Sequence, residues 1–147
     1  MENPRVRVAA IIVQGDSILL VRHVRDGRTY WLLPGGGVDY GETMEEALVR
    51  EMKEEGNLDV RVKDLVIAND SIPPDKHRHV INLHFTAEIV GGELRLDTND
   101  PRLAEMKFVP ISELLGLTFF PDIRPALISA IQAGFPCAAS YMGNLWK

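Results

Sequence analysis

The sequence predicts an α+β sandwich, and three observations lead there. Strand-like runs outnumber helical ones along the 147 residues. The longer helical patterns arrive in the middle and at the end of the chain instead of alternating with every strand. The composition is ordinary for a globular protein, with 46% hydrophobic and 25% charged residues, so a chain of this length can bury a real core as one domain, residues 1–147.

The elements follow in order. Val6 to Val13 (VRVAAIIV) and Ser17 to Val24 (SILLVRHV) are β-rich, and Gln14-Gly15-Asp16 between them is a hairpin signal. Arg25 to Arg28 reads as a charged loop around Asp26-Gly27, and Tyr30 to Leu33 as a short strand stopped by Pro34. Gly35, Gly36 and Gly37 let the backbone turn sharply and approach a ligand closely. A helix is expected over about Met44 to Gly56, then a strand over Leu58 to Ala68 and a loop at Asn69 to Lys76 that carries Pro73-Pro74. His79 to Val90 alternates as a long strand, which Gly91-Gly92 turns into Glu93 to Leu96. Asp97 to Arg102 is a loop, Met106 to Val109 a last strand, Ile111 to Leu115 a short helix and Asp122 to Ala133 an amphipathic one. The tail from Phe135 to Lys147 is apolar enough to pack on something, a second subunit of a homodimer being one such surface.

The stretch Gly35 to Leu58 carries the chemistry. Thr43 and Glu46 form a capping box at the helix start. Met44, Ala47, Leu48 and Met52 give an apolar stripe at helical spacing. Glu51, Glu54 and Glu55 stand at i, i+3 and i+4, so three carboxylates crowd the helix C-terminal end, where the helix dipole is already negative. A hard divalent cation would turn that repulsion into attraction, because Mg²⁺ takes oxygen ligands from one or two carboxylates and from substrate phosphates.

The spacing of the stretch resembles the Nudix box. Gly36 is followed after five residues by Glu42, after seven more by Arg50-Glu51, then by apolar Met52, Glu54-Glu55 and apolar Leu58. Six of the seven fixed residues match, which chance would supply with a probability on the order of 10⁻⁵. The seventh, a glycine just before Leu58, is replaced by Asn57, the next best residue for a left-handed helix cap. The resemblance implies an α/β/α sandwich with a mixed β-sheet. It also implies a hydrolase that uses Mg²⁺ or Mn²⁺ to cleave a nucleoside diphosphate linked to another moiety.

By position in the box, Glu51, Glu54 and Glu55 would be metal ligands, joined by the Gly36 carbonyl, with one glutamate free to act as general base. Arg50 and Glu42 would orient the ligands from behind. Glu105, before the strand at Met106, resembles a further glutamate that family members use as base or ligand; Glu54, Glu105 and Arg50 are therefore the candidate catalytic residues. Pro73 and Pro74, fifteen and sixteen positions past Leu58, resemble a mark of the branch that cleaves ADP-ribose. A nucleoside triphosphate pyrophosphohydrolase, with oxidised nucleotides among its candidate substrates, is the alternative substrate reading, and a non-catalytic nucleotide sensor an alternative of another class. His77, Arg78, His79, His84, Arg22, Arg25, Arg28 and Trp31 read first as loop, strand or packing residues, although any of them could touch a phosphate or a base.

The net charge of −5 argues against a nucleic-acid surface but not against a small phosphate substrate, since metal ions supply positive charge. Cys137 is the one cysteine, so no intrachain disulfide is expected. No signal peptide or apolar run of membrane-spanning length is evident, so the expected setting is cytoplasmic, away from membranes.

Overall fold

The computed structural model describes residues 2–135 and 137–146. Its elements are β1 (Arg5–Ile11), β2 (Val13–Gln14), β3 (Ser17–Arg25), β4 (Arg28–Leu32), β5 (Gly35–Gly37), α1 (Met44–Gly56), β6 (Leu58–Ser71), β7 (Val80–Gly92), β8 (Leu103–Pro110), a 3₁₀ turn (Ile111–Gly116), α2 (Arg124–Ala133) and β9 (Ser140–Asn144). One sheet has the order β5-β1-β7-β6-β9 and is mixed: β1/β7 and β6/β9 are parallel, β1/β5 and β6/β7 antiparallel. The other is antiparallel around β3, with β2 and β4 along one edge and β8 along the opposite edge.

The apolar run VRVAAIIV is continuous, not alternating, because both of its faces are covered. Val8, Ala10 and Ile12 pack into one core cluster with Ala47, Leu48 and Met52 of α1. Ala9 and Ile11 pack into a second with Leu127 and Ala130 of α2 and Leu114 of the 3₁₀ turn. Strand β3 divides the same way, with Leu19 and Val21 in the first cluster and Ile18 and Leu20 in the second. A sheet layer with a helix on each face is the sandwich that the sequence predicts.

The expected hairpin at Gln14-Gly15-Asp16 is present but short. Only Val13 and Gln14 pair with β3, while β1 leaves for the other sheet and lies parallel to β7. A tighter turn joins β3 to β4: Asp26 (φ 51°) and Gly27 (φ 75°) are both left-handed, as a two-residue turn between twisted strands requires. Glu93 to Leu96 is not a strand. Its backbone N–H groups go to the end of α1 instead, Glu93 donating to the Asn57 carbonyl at 3.2 Å and Arg95 to that of Gly56 at 3.0 Å, and the following Asp97 donates to Glu55 at 2.8 Å. Carbonyls that a helix terminus leaves orphaned are thereby satisfied. The tail packs on its own chain, β9 lying beside β6 with Leu145 N–H bonded to the Asp70 carbonyl at 2.9 Å. Pro136 and Lys147 of that tail lie outside the described residues. Among the described residues no helix is long and apolar enough to cross a membrane.

Candidate active site

Helix α1 is fixed at both ends by its own sequence. Thr43 Oγ1 accepts the Glu46 N–H at 3.0 Å, and Glu46 Oε1 accepts the Thr43 N–H at 3.0 Å, completing the capping box. Ala47, Leu48, Met52 and Gly56 are buried, whereas Met44, expected on the apolar stripe, is exposed in the first turn. At the other end Asn57 is left-handed (φ 57°, ψ 33°) and its Nδ2 donates to the Glu93 carbonyl at 2.9 Å. Gly56 is needed one place earlier for a different reason: a Cβ there would meet Met106 Sδ at 2.9 Å.

The glycine segment is a strand, not the sharp turn expected of it. Strand β5 pairs with β1, Gly35 opposite Ala9 and Gly37 opposite Arg7, and none of the three glycines has a positive φ. Their smallness is used for close approach. A Cβ on Gly35 would overlap the Val8 carbonyl, and one on Gly36 would overlap the Glu51 carboxylate. The glycine backbone and the carboxylate of Glu51 are therefore in direct contact.

Arg50 organises everything around that contact. Its Nε and Nη2 clasp Glu42 at 3.1 and 2.6 Å, Nη1 donates to Glu51 at 2.9 Å and to Glu54 at 3.3 Å, and Nη2 also reaches the Gly37 carbonyl at 3.0 Å. Glu42 is in turn oriented by the Asp39 N–H at 2.8 Å. One guanidinium thus ties the loop before α1, the glycine strand and two helix carboxylates together, with the planar fork that suits this work. The Arg50 hydrogen bonds hold the Glu42 carboxyl down at about 2, and Glu42 in return raises the arginine further above its ordinary range.

Glu55 lies deeper, against Glu51. Burial, followed by the charge of Glu51, pushes its carboxyl up to about 8. Such a carboxyl sits where a cation would restore its charge. Among the described residues no three acidic, histidine or cysteine side chains converge closely enough to ligate an ion as they stand, and Glu51 and Glu54 are both engaged with Arg50. The donors nevertheless fit a hard divalent ion in kind, being carboxylate oxygens beside a backbone carbonyl strand.

Glu105 is not brought to this group. It stands on β8 beside Met106, whose side chain points into the α1 core, so Glu105 points to the opposite face. There it pairs with Arg22 at 3.6 Å and Lys107 at 3.5 Å. Trp31 packs in the second core cluster with Lys107 Nζ 5.5 Å from the centre of its ring. His79 bonds Asp70 at 2.9 Å, and His84 is buried, bonded to Asn69 at 3.1 Å.

Beside the carboxylates opens a cavity of about 830 Å³. Its lining takes in Gly35 to Gly37, Glu51 and Glu55 on one side. Arg25, Arg28, His77 and Arg78, named from the sequence only as lesser candidates, also line it. Sequence reasoning passed over Arg7, Arg102, Tyr30, Phe120 and Trp146. Arg7 carried a usable signal, being a charge inside the otherwise apolar run VRVAAIIV. Its Nη2 donates to the Leu33 carbonyl at 2.8 Å, and its Nη1 is buried with no partner among the described residues. Burial lowers the Arg7 guanidinium while the nearby Glu55 and Glu51 oppose that shift. Trp146 sits edge-on to Phe120 at 5.5 Å and to His77 at 6.2 Å, an aromatic wall that only the folding of the tail brings here.

The model of the NUDIX domain matches residues 3–129. An ADP-ribose pyrophosphatase of Methanocaldococcus jannaschii is 39% identical over 118 residues, covering 80% of this chain and 68% of that protein. An NAD-capped RNA hydrolase, NudC, of Pectobacterium carotovorum is 33% identical over 95 residues; these are 65% of this chain and 35% of that longer protein. The crystal structure of an ADP-ribose pyrophosphatase from Streptococcus suis superimposes with a TM-score of 0.70 at 26% identity, covering 97% of this chain and 100% of that one. The match to the family model over most of the chain, together with the geometry around Arg50, shows that this protein belongs to the NUDIX domain family of hydrolases.

Proposed function

We propose that the protein is a divalent-metal-dependent pyrophosphohydrolase that cleaves the phosphoanhydride of a nucleoside diphosphate linked to another moiety, with ADP-ribose as the first substrate. The observation that carries this reading is the Arg50 cluster, which holds Glu51 and Glu54, with Glu51, Glu55 and Gly36 lining a cavity large enough for a nucleotide. The ADP-ribose pyrophosphatases among its relatives, and a relative that acts on NAD-capped RNA, support a substrate containing a nucleoside diphosphate.

A phosphoanhydride resists water because its own negative charge repels the nucleophile, so the demand is for charge neutralisation and in-line placement. Mg²⁺ or Mn²⁺ held by Glu51, Glu54, Glu55 and the Gly36 carbonyl would supply Lewis acidity and activate water. Arg50 hydrogen-bonds Glu51 and Glu54 and so offsets their mutual repulsion when no cation holds them. Arg7 directs a buried guanidinium toward the same edge and stabilises charge that builds on a phosphoryl oxygen. Glu54, 60% exposed and held by Arg50 at 3.3 Å, is the glutamate that would serve as general base where Glu51 and Glu55 hold the ion without it. The aromatic wall of Tyr30, Phe120 and Trp146 offers flat surfaces to a nucleobase.

A panel of ADP-ribose, other nucleotide conjugates and nucleoside triphosphates, each with Mg²⁺ and with Mn²⁺, tests the reading. AMP plus ribose 5-phosphate from ADP-ribose is the expected outcome. Nucleoside monophosphate plus pyrophosphate from triphosphates, with ADP-ribose untouched, would overturn it.

A further inference from the structure

Six of the protein's sixteen Lys and Arg residues line the cavity, and all six are arginine, although the chain as a whole carries a net charge of −5. Arg7 and Arg78 stand in different surroundings, with Arg5 acting on both. Arg7 feels the carboxylates of Glu55 and Glu51 and belongs to the anhydride end. Arg78, on the loop before β7, has its guanidinium lowered by burial and then by Arg25 and Arg5, two charges of its own sign, with Tyr30 opposing and Arg102 adding less. Arg102 is tied to Asp100 at 2.7 Å and Arg25 approaches Asp26 at 4.0 Å. Among the described residues Arg5, Arg28 and Arg78 make no ion pair.

The placement of these arginines is set by the fold. Arg5 opens β1 and is held by its N–H on the His79 carbonyl at 2.9 Å, beside Gly37, where a Cβ would stand 3.0 Å from its Nη2. Arg25 and Arg28 flank the Asp26-Gly27 turn and face each other across the β3–β4 pair. The loop that carries Arg78 is closed on itself by the Lys76 N–H bonded to the Pro73 carbonyl at 2.9 Å, and Asn144 of β9 bonds Ile72 through both backbone groups at 2.9 and 3.0 Å. Like charges brought to one cavity by three separate segments repel unless an anion joins them, and forked guanidinium groups match phosphate oxygens.

We infer that Arg5, Arg25 and Arg78 form a subsite for a second, non-reacting phosphate group, so that the preferred substrate is a nucleoside diphosphate conjugate that also carries a phosphate monoester on one of its sugars. This rests on the pyrophosphohydrolase reading and adds a specificity to it. The anhydride lies at the Glu51–Glu55 edge with Arg7, and the monoester lies beside it among Arg5, Arg25 and Arg78, all of which line the same cavity. A monoester carries nearly two negative charges at neutral pH, the charge that three converging cations match.

Two measurements decide the matter. The first titrates the EDTA-treated full-length protein with inorganic phosphate by calorimetry, which needs neither metal nor turnover. Wild type should bind phosphate, Arg5→Gln and Arg78→Gln should each weaken binding at least fivefold, and Arg61→Gln, which pairs with Glu88 on the outer face of β6, should not. Arg78→Gln should also melt no lower than wild type, since it relieves repulsion. Equal phosphate affinity in all four proteins overturns the subsite. The second compares kcat/KM for ADP-ribose with that for ADP-ribose phosphorylated at the 2′-hydroxyl of its adenosine or at the 1″-hydroxyl of its ribose. One phosphorylated form should be preferred by wild type, and Arg78→Gln should lower that preference at least tenfold, chiefly through KM. A loss of the same size on phosphorylated and unphosphorylated forms would place the arginines at the scissile anhydride and overturn the inference while leaving the hydrolase intact. If no conjugate is cleaved at all, the hydrolase reading fails, and the phosphate titration still judges the subsite.

Discussion

Replacing Asn57 with valine tests whether the one departure from the box is a helix cap or part of the chemistry. Asn57 holds φ 57° and ψ 33°, a left-handed conformation that a β-branched residue tolerates badly. The backbone term costs roughly 1–2 kcal/mol. Loss of the 2.9 Å bond from Nδ2 to the Glu93 carbonyl adds about 0.5–1.5 kcal/mol. Asn57→Val should therefore lose roughly 1.5–3.5 kcal/mol, a fall in melting temperature on the order of 4–12 °C for a domain of this size. Asn57→Gly loses the same hydrogen bond but relieves the backbone, so the two changes offset each other to within about 1 kcal/mol. Urea denaturation of both variants, with the slope checked for constancy, measures the difference. Initial rates at saturating metal should stay close to wild type for both at 25 °C. An Asn57→Gly protein with unchanged stability and lost activity would show that the amide acts on substrate or metal, and a fully stable Asn57→Val would show that the left-handed cap carries no strain.

Arg50→Lys keeps the charge but loses the fork onto Glu42; it should lower metal affinity or turnover about 10–100-fold, measured by Mn²⁺ titration and initial rates, with Glu42→Gln acting in the same direction. Glu105→Gln should leave turnover and its pH profile within about twofold of wild type, since the side chain is engaged with Arg22 and Lys107 on the far face of β8; a large loss in a kinetic assay would return it to the candidate bases. His84 is buried, and burial depresses it to about 3. Because the unfolded chain takes up a proton first, its stabilising contribution is complete above the unfolded value near 6.5 and is lost as pH falls from there toward 3. At pH 5 the loss is about 2 kcal/mol, and His84→Gln should flatten that part of the stability curve in urea melts taken from pH 7.5 to 4.5. His23, lowered to about 4 by burial, acts in the same direction but less, being partly solvated.

Much of the site was legible because its signals are local. The capping box, the extent of α1 and the left-handed residue at Asn57 follow from side chains within a few positions of one another. The same locality explains what was not legible. Whether Glu105 faces the site depends on the parity of β8 against β3, and a one-residue shift in register reverses it. Nothing in Glu93 to Leu96 announces that its N–H groups complete the end of α1 instead of a sheet. Arg5, Arg78 and Trp146 lie far apart in sequence and meet only because β1, the loop before β7 and β9 converge at one end of the mixed sheet. The continuous apolar run in β1 pointed to burial on both faces, but it could not tell which sheet the strand would join.

The most direct measurement sets metal binding beside chemistry in Glu54→Gln and Glu55→Gln. Mn²⁺ affinity is followed by electron paramagnetic resonance, and ADP-ribose turnover is followed at saturating Mg²⁺. Each variant should bind Mn²⁺ at least tenfold more weakly and lose at least a hundredfold in turnover. Glu55→Gln should also melt higher than wild type in EDTA, because it removes a carboxyl that burial and Glu51 already push up to about 8. Near-normal turnover and Mn²⁺ affinity in both variants would contradict the assignment of these glutamates as the ligands of a catalytic metal.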